Sequence, residues 1–181
     1  MNVSRHHLRL GIATLAIVIC AMPGAVAQQL DLPASVRGAL GVRYQGWQLS
    51  SLYPDVAESL RARTAGGPLN LVRGDFDGNG EDDIAILVEY RRPQSSGDAL
   101  VDVVAFLAKE SHHEMLVIEG PDPHIGKQYI RAIPRGSRGY DLNTNTDFVY
   151  ERDAIGVEFE GTGGHTWIYR NGRFVSVWTS D

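Results

Sequence analysis

The sequence predicts an α+β fold, with short N-terminal helices packed on a mostly antiparallel β-sheet that ends in a C-terminal meander. Helical spacing of apolar residues is confined to the stretch before Ala65-Gly66-Gly67-Pro68, and from Leu69 onward the apolar residues follow period two instead. Near the end, Asn171-Gly172 stands between two apolar runs, the strongest short signal for a hairpin.

Taken in order, residues 34–43 place Val36 and Leu40 four apart with Ala39 beside them, which predicts a short amphipathic helix despite Gly38 and Gly41. Trp47 and Leu49 alternate with polar neighbours, as in a short strand. Pro54 then opens a second helix that carries Asp55 and Glu58 early and Arg61 and Arg63 late, in agreement with the helix dipole. Residues 69–72 and 84–90 are predicted as strands flanking an acidic loop, and 100–108 is a valine-rich run with the character of a buried strand. A hairpin tip through Glu110-Ser111-His112-His113 leads into a strand over 115–118, which Gly120-Pro121-Asp122-Pro123 is expected to break. Residues 129–133 form the next strand, and residues 134–147 read as polar loop. In the meander, Ile155, Val157 and Phe159 alternate, Gly161-Thr162-Gly163-Gly164 turns, Trp167 and Tyr169 alternate again, and Asn171-Gly172 turns into 174–178. No segment recurs, which excludes a repeat array.

Residues 1–27 have the features of a signal peptide: Arg5, His6, His7 and Arg9 make a basic start, residues 10–21 an apolar core, and Ala25-Val26-Ala27 a small-residue cleavage signal. The apolar core is shorter than the roughly 20 residues that span a bilayer, so cleavage rather than anchoring is expected. Cys20 follows Ile17-Val18-Ile19, without the small residue that lipid attachment needs immediately before the cysteine. The expected product is a single domain, 28–181, in the periplasm or outside the cell, with no membrane anchor. It has no cysteine and hence no disulfides, because Cys20 is the chain's only one. A chain of this size buries roughly 70% of its unfolded surface, enough for one self-sufficient core. The formal charge is −5, with 22 acidic against 17 basic residues, and the arginines are scattered. That balance excludes nucleic acid as a partner.

The run Gly74-Asp75-Phe76-Asp77-Gly78-Asn79-Gly80-Glu81-Asp82-Asp83 puts oxygen donors at alternate positions of a glycine-rich turn. Calcium takes six to eight oxygen ligands, and short loops supply them in this manner. The candidate ligands are Asp75, Asp77, Asn79, Glu81 and Asp83; at the Glu81 position a backbone carbonyl usually serves. Five carboxylates within nine residues repel one another, and a divalent cation neutralises them. A polar turn with solvated acids is the competing reading. An EF-hand is rejected, since Ile86 stands where its twelfth-position glutamate belongs and the following segment is strand-like.

Residues 74–85 resemble the calcium loop of the FG-GAP, or integrin-α-like, repeats. In that family the loop joins two antiparallel strands, and the resemblance implies calcium ligation by Asp75, Asp77, Asn79 and Asp83. It implies the hairpin-plus-calcium element alone, because a propeller needs several blades and this chain holds one copy.

Arg73-Gly74-Asp75 spells an adhesion tripeptide, but Asp75 is the first candidate ligand and does not serve both uses. His112 and His113 are adjacent and point to opposite faces of a strand, which argues against zinc. No nucleophile elbow, phosphate loop, dinucleotide fingerprint or metalloprotease helix is present in the sequence. Trp47, Trp167, Tyr169, Phe174 and Trp178 read most simply as sheet core and rim, with a carbohydrate- or protein-binding surface as the alternative. The sequence thus points to an exported, non-enzymatic protein with a structural calcium site and a binding role. A small calcium-assisted hydrolase assembled from distant residues is the second expectation. Material recovered from the periplasm or medium should begin at Gln28 by intact-mass measurement, and a retained Met1 there would refute the cleavage.

Overall fold

The computed structural model describes residues 32–61, 68–92, 99–123 and 126–180. The predicted signal segment and its cleavage site lie outside the described residues. Two helices, α1 (Ala34–Arg43) and α2 (Pro54–Arg61), accompany eleven strands: β1 (Gln48–Leu49), β2 (Leu71–Gly74), β3 (Asp83–Tyr90), β4 (Leu100–Lys109), β5 (His112–Asp122), β6 (Gln128–Ile133), β7 (Arg138–Asp141), β8 (Thr146–Val149), β9 (Ala154–Phe159), β10 (Gly163–Arg170) and β11 (Arg173–Ser180).

The expected α+β class is corrected by this count, since strand occupies 52% and helix 13%, and the fold is mostly antiparallel β in several sheets. The physical reason is that the helical signals are real but short. They cover 18 residues in two pieces, while the period-two pattern runs through nearly everything after Leu69.

Sheet A has the order β1-β3-β4-β5, with β2 also paired to β3. β1 meets β3 at Val88 and Glu89 and β2 meets it from Ile86 to Asp83, so the two short strands lie end to end along one edge. Sheet B has the order β11-β10-β9-β6, and β7-β8 is a separate two-stranded sheet. All the registered pairs are antiparallel.

The central strands β3 and β4 of sheet A are buried on both faces. Ile84, Ile86 and Val88 of β3 and Val104 and Phe106 of β4 pack with Val36, Leu40 and Tyr44 of the α1 segment. The alternate residues, Ala85, Leu87, Val101, Val103, Ala105 and Leu107, pack instead with Ile130, Ile155 and Val157 of sheet B. A strand covered twice needs apolar residues at every position, and that is why Ile84-Ala85-Ile86-Leu87-Val88 shows no polar alternation. The outer face of sheet B is covered in turn by the β7-β8 segment, where Phe148 and Tyr150 meet Ile133, Ala154, Ile168 and Val177. The layers are therefore helix, sheet A, sheet B and hairpin.

Two local expectations also change. Much of the expected loop 134–147 instead belongs to β7 and β8, which flank a turn at 142–145 in which Asn145 has φ 53°, a conformation asparagine tolerates. Packing of Phe148 on sheet B supplies what the local sequence does not. The strand expected over 115–118 extends to His112 at one end and Asp122 at the other, with register shifts near Val103 absorbing the irregular end. His112 and His113 consequently pair with Lys109 and Ala108 rather than forming the tip.

Buried polar groups cross both layers. Asp102 accepts hydrogen bonds from Tyr44 Oη (2.7 Å) and Tyr90 Oη (3.2 Å) on the helix side. Glu119 of β5 accepts from Trp167 Nε1 (2.8 Å) and Gln128 Nε2 (3.3 Å) of sheet B and pairs with His165 Nε2 (2.7 Å). Among the described residues no helix is long and apolar enough to cross a membrane.

Phe106 is fully buried between α1 and sheet A, so Phe106→Ala should cost about 3–5 kcal/mol in urea denaturation. Val42, on the same helix but 91% exposed, provides the control, because Val42→Ala should stay within about 0.5 kcal/mol of wild type. Equal losses would contradict the assignment of faces.

Candidate metal centre

The acidic run forms the connection between β2 and β3, with Gly74 and Asp83 paired at its base. Gly78 and Gly80 have φ values of 80° and 87°, a region L side chains rarely adopt, and this lets the chain reverse tightly enough to turn its carboxylates inward. Asp75, Asp77 and Asp83 come together, each offering one oxygen within 4.8 Å of the others. These three carboxylates can hold a metal ion.

Asp83 is fully buried, and its oxygens receive three backbone N–H groups: Phe76 (2.8 Å) and Asp77 (3.2 Å) on Oδ2, and Ala108 (2.7 Å) on Oδ1. Burial pushes its carboxyl above the ordinary aspartate value and the Asp77 charge adds to this, while the three amides pull it back. Asp75 Oδ2 accepts from Gly80 N (3.1 Å), whereas Asp75 Oδ1 is sealed from solvent and has no hydrogen-bond partner. A buried carboxylate oxygen without a donor is costly in a folded protein, and a cation is one group that satisfies it. Asp77 Oδ1 accepts from Asn79 N (3.1 Å). Its Oδ2 meets Lys109 Nζ at 2.6 Å, and that hydrogen bond raises the lysine above its ordinary value.

The remaining predicted ligands are placed differently. Asn79 is exposed, with its Oδ1 accepting from Glu81 N (2.7 Å) and its Nδ2 donating to Ala108 O (2.8 Å), so the side chain braces the loop against β4. Glu81 is exposed and stands outside the three-carboxylate group; its side of the loop lines an open cleft of about 660 Å³ with Ala108, Lys109, Glu110, Ser111 and His112. Asp75, the acid of the Arg-Gly-Asp tripeptide, is turned into the loop rather than out from it.

Three participants were not visible in the sequence. Lys109 arrives from the far end of β4. Arg152 donates to Asp77 O (2.5 Å) and lies over Gly78, and Asp153 accepts from Asp75 N (3.0 Å) and Arg135 N (2.8 Å). Gly74 permits the Asp75–Asp153 contact, because a Cβ there would lie 2.8 Å from Asp153 Oδ2. Asp75, Gly78, Arg135, Glu151, Arg152 and Asp153 line a second cavity of about 250 Å³. No local pattern marks Lys109 or Asp153, which reach the loop only through the pairing of β4 with β3 and the stacking of the two sheets. The loop is thus tied to β4 and to the segment before β9, as well as to its own hairpin.

No family model matches the chain, and no curated protein or solved structure does either.

Replacing Asp83 by Ala leaves three backbone donors without their acceptor, at about 1–3 kcal/mol for each buried group. Asp83→Ala should therefore lose on the order of 3 kcal/mol or more in urea denaturation, and Asp83→Asn, which retains one oxygen acceptor, should lose less. Identical losses would show that the charge, not the amide bonds, is what matters.

Proposed function

We propose that this chain is an exported, non-catalytic binding protein whose β2-β3 loop holds a calcium ion as a structural clip, as its resemblance to the FG-GAP loop implies. The observation that carries this reading is the unpartnered, solvent-sealed Oδ1 of Asp75, a member of the Asp75-Asp77-Asp83 carboxylate group. The donor set is all oxygen, which favours a hard cation over zinc or copper. The two-glycine loop suits the flexible, high-coordination geometry of calcium better than the strict octahedron of magnesium. Calcium bound there supplies charge neutralisation, and Asp75, Asp77 and Asp83 would hold it.

A structural role is favoured over chemistry because the same carboxylates are already engaged by the protein. Asp83 serves three backbone amides, Asp75 serves Gly80 and Asp77 serves Asn79, so each carboxylate is anchored by backbone amides through at least one oxygen. Export is supported by the basic, apolar and Ala25-Val26-Ala27 segments of residues 1–27. A binding role for protein or carbohydrate is supported by aromatic side chains left in solvent, with Trp178 51%, Tyr53 48% and Tyr140 41% exposed.

A ligand that binds only the folded state stabilises it by about 2.7 kcal/mol at a hundredfold excess over Kd. The melting temperature should accordingly rise by several degrees between chelator and millimolar calcium, and the rise should vanish in Asp75→Asn, which alters the unpartnered oxygen. A melting temperature indifferent to calcium in the wild-type chain refutes the clip.

A further inference from the structure

The loop also has a cation of the protein's own. Lys109 Nζ lies 2.6 Å from Asp77 Oδ2, with the Asp77 side chain 6% exposed and that of Lys109 33% exposed. A second carboxylate, Glu114 Oε2, stands 3.9 Å from the same ammonium and is 49% exposed. The lysine therefore sits between an inner carboxylate that belongs to the metal-competent group and an outer one at the solvent edge. A divalent cation and an ammonium on the same carboxylate repel each other, and the repulsion is strongest where solvent is excluded, as it is at Asp77. The outer carboxylate gives the ammonium a place to go.

We propose that Lys109 is a displaceable internal counter-ion that sets the cation affinity of the acidic loop, leaving Asp77 for the Glu114 side when a divalent cation binds. This rests on the calcium reading above and adds a regulatory residue to it. With the metal absent, Lys109 holds the loop to the end of β4 from the wall of the 660 Å³ cleft that it lines with Asn79, Glu81, Glu110 and His112, and with the metal bound its ammonium is freed from Asp77 within that cleft. Cation occupancy and the charge of that cleft are then coupled, because the lysine already in the cleft wall loses its paired Asp77 carboxylate as the loop fills.

The chain contains only two lysines, Lys109 and Lys127, so the exposed Lys127 provides an internal standard. Limiting acylation of the full chain, read by peptide mass spectrometry with calcium chloride or with chelator, should show Lys109 labelling rise several-fold relative to Lys127 when calcium is added. In calorimetric titration with calcium chloride, Lys109→Met should bind at least ~5-fold more tightly than wild type, the lower end of ordinary coupling between two sites. If wild type binds calcium while Lys109 labelling is unchanged and Lys109→Met binds equally or less well, the displacement is wrong and the clip stands. If wild type takes up no calcium, the clip itself fails and the displacement fails with it, whatever the variant does.

Discussion

Burial of β3 and β4 on both faces of sheet A is the constraint from which the rest of the structure follows. With α1 on one side and sheet B on the other, the middle of β3 and β4 has no position that water reaches: Ile84 to Val88 and Val101 to Leu107 are all buried. Each fully buried aliphatic side chain contributes about 1.5–3 kcal/mol, so this doubly covered pair of strands dominates the apolar stabilisation. It also dictates where polar chemistry can sit. Apart from Asp102, whose carboxylate is matched by two tyrosine hydroxyls, the middle of these two strands holds no carboxylate, and the acidic loop sits at an end, where β3 begins and β4 runs out.

Where acids do enter the interior, each is matched to donors from more than one element. Asp83 takes amides from its own loop and from β4, Asp102 takes hydroxyls from Tyr44 after α1 and Tyr90 of β3, and Glu119 takes donors from β6 and β10. An unmatched buried carboxylate would cost far more than any single contact returns, so these donors are conditions for folding rather than additions to it. Burial and the neighbouring Asp102 hold the Tyr44 hydroxyl well above its ordinary value, which keeps it a donor at any physiological pH. Each pairing also fixes geometry, because the donors lie on elements distant in sequence and can meet the acid in one arrangement of the layers only.

The legibility of the sequence divides along the same line. Segments whose neighbours in sequence are their neighbours in space were readable: α1 from Val36 and Leu40, the β2-β3 hairpin from its glycine-rich loop, and the final strands from Asn171-Gly172. Features set by distant packing were not. β7 and β8 are four residues each, too short to stand out among polar neighbours, and Phe148 anchors them on Ile133 and Ile168. The class differs from the α+β expectation because the two helices, though well marked in the sequence, cover few residues, and one of them serves as a lid on a β core. At the candidate metal centre, the spacing of Asp75, Asp77 and Asp83 was legible because one loop carries all three, while Lys109, Arg152 and Asp153 come from up to 78 residues away.

That distance decides what a cation at the loop would do for the protein. A solvated acidic turn at a hairpin tip would stabilise only its own strands, and its opening would cost little more than local fraying. Here Asp83 holds Ala108 of β4, Asp77 engages Lys109 and Arg152, and Asp75 is held by Asp153, whose other oxygen holds Arg135. The loop cannot open without releasing contacts to sheet A and to the segments that flank sheet B, so its opening belongs to the global unfolding of the layers. A ligand bound to such a loop shifts the stability of the whole domain. In a chain with no pair of cysteines to cross-link, an ionic junction of this kind occupies the structural place that a disulfide between the two sheets would fill.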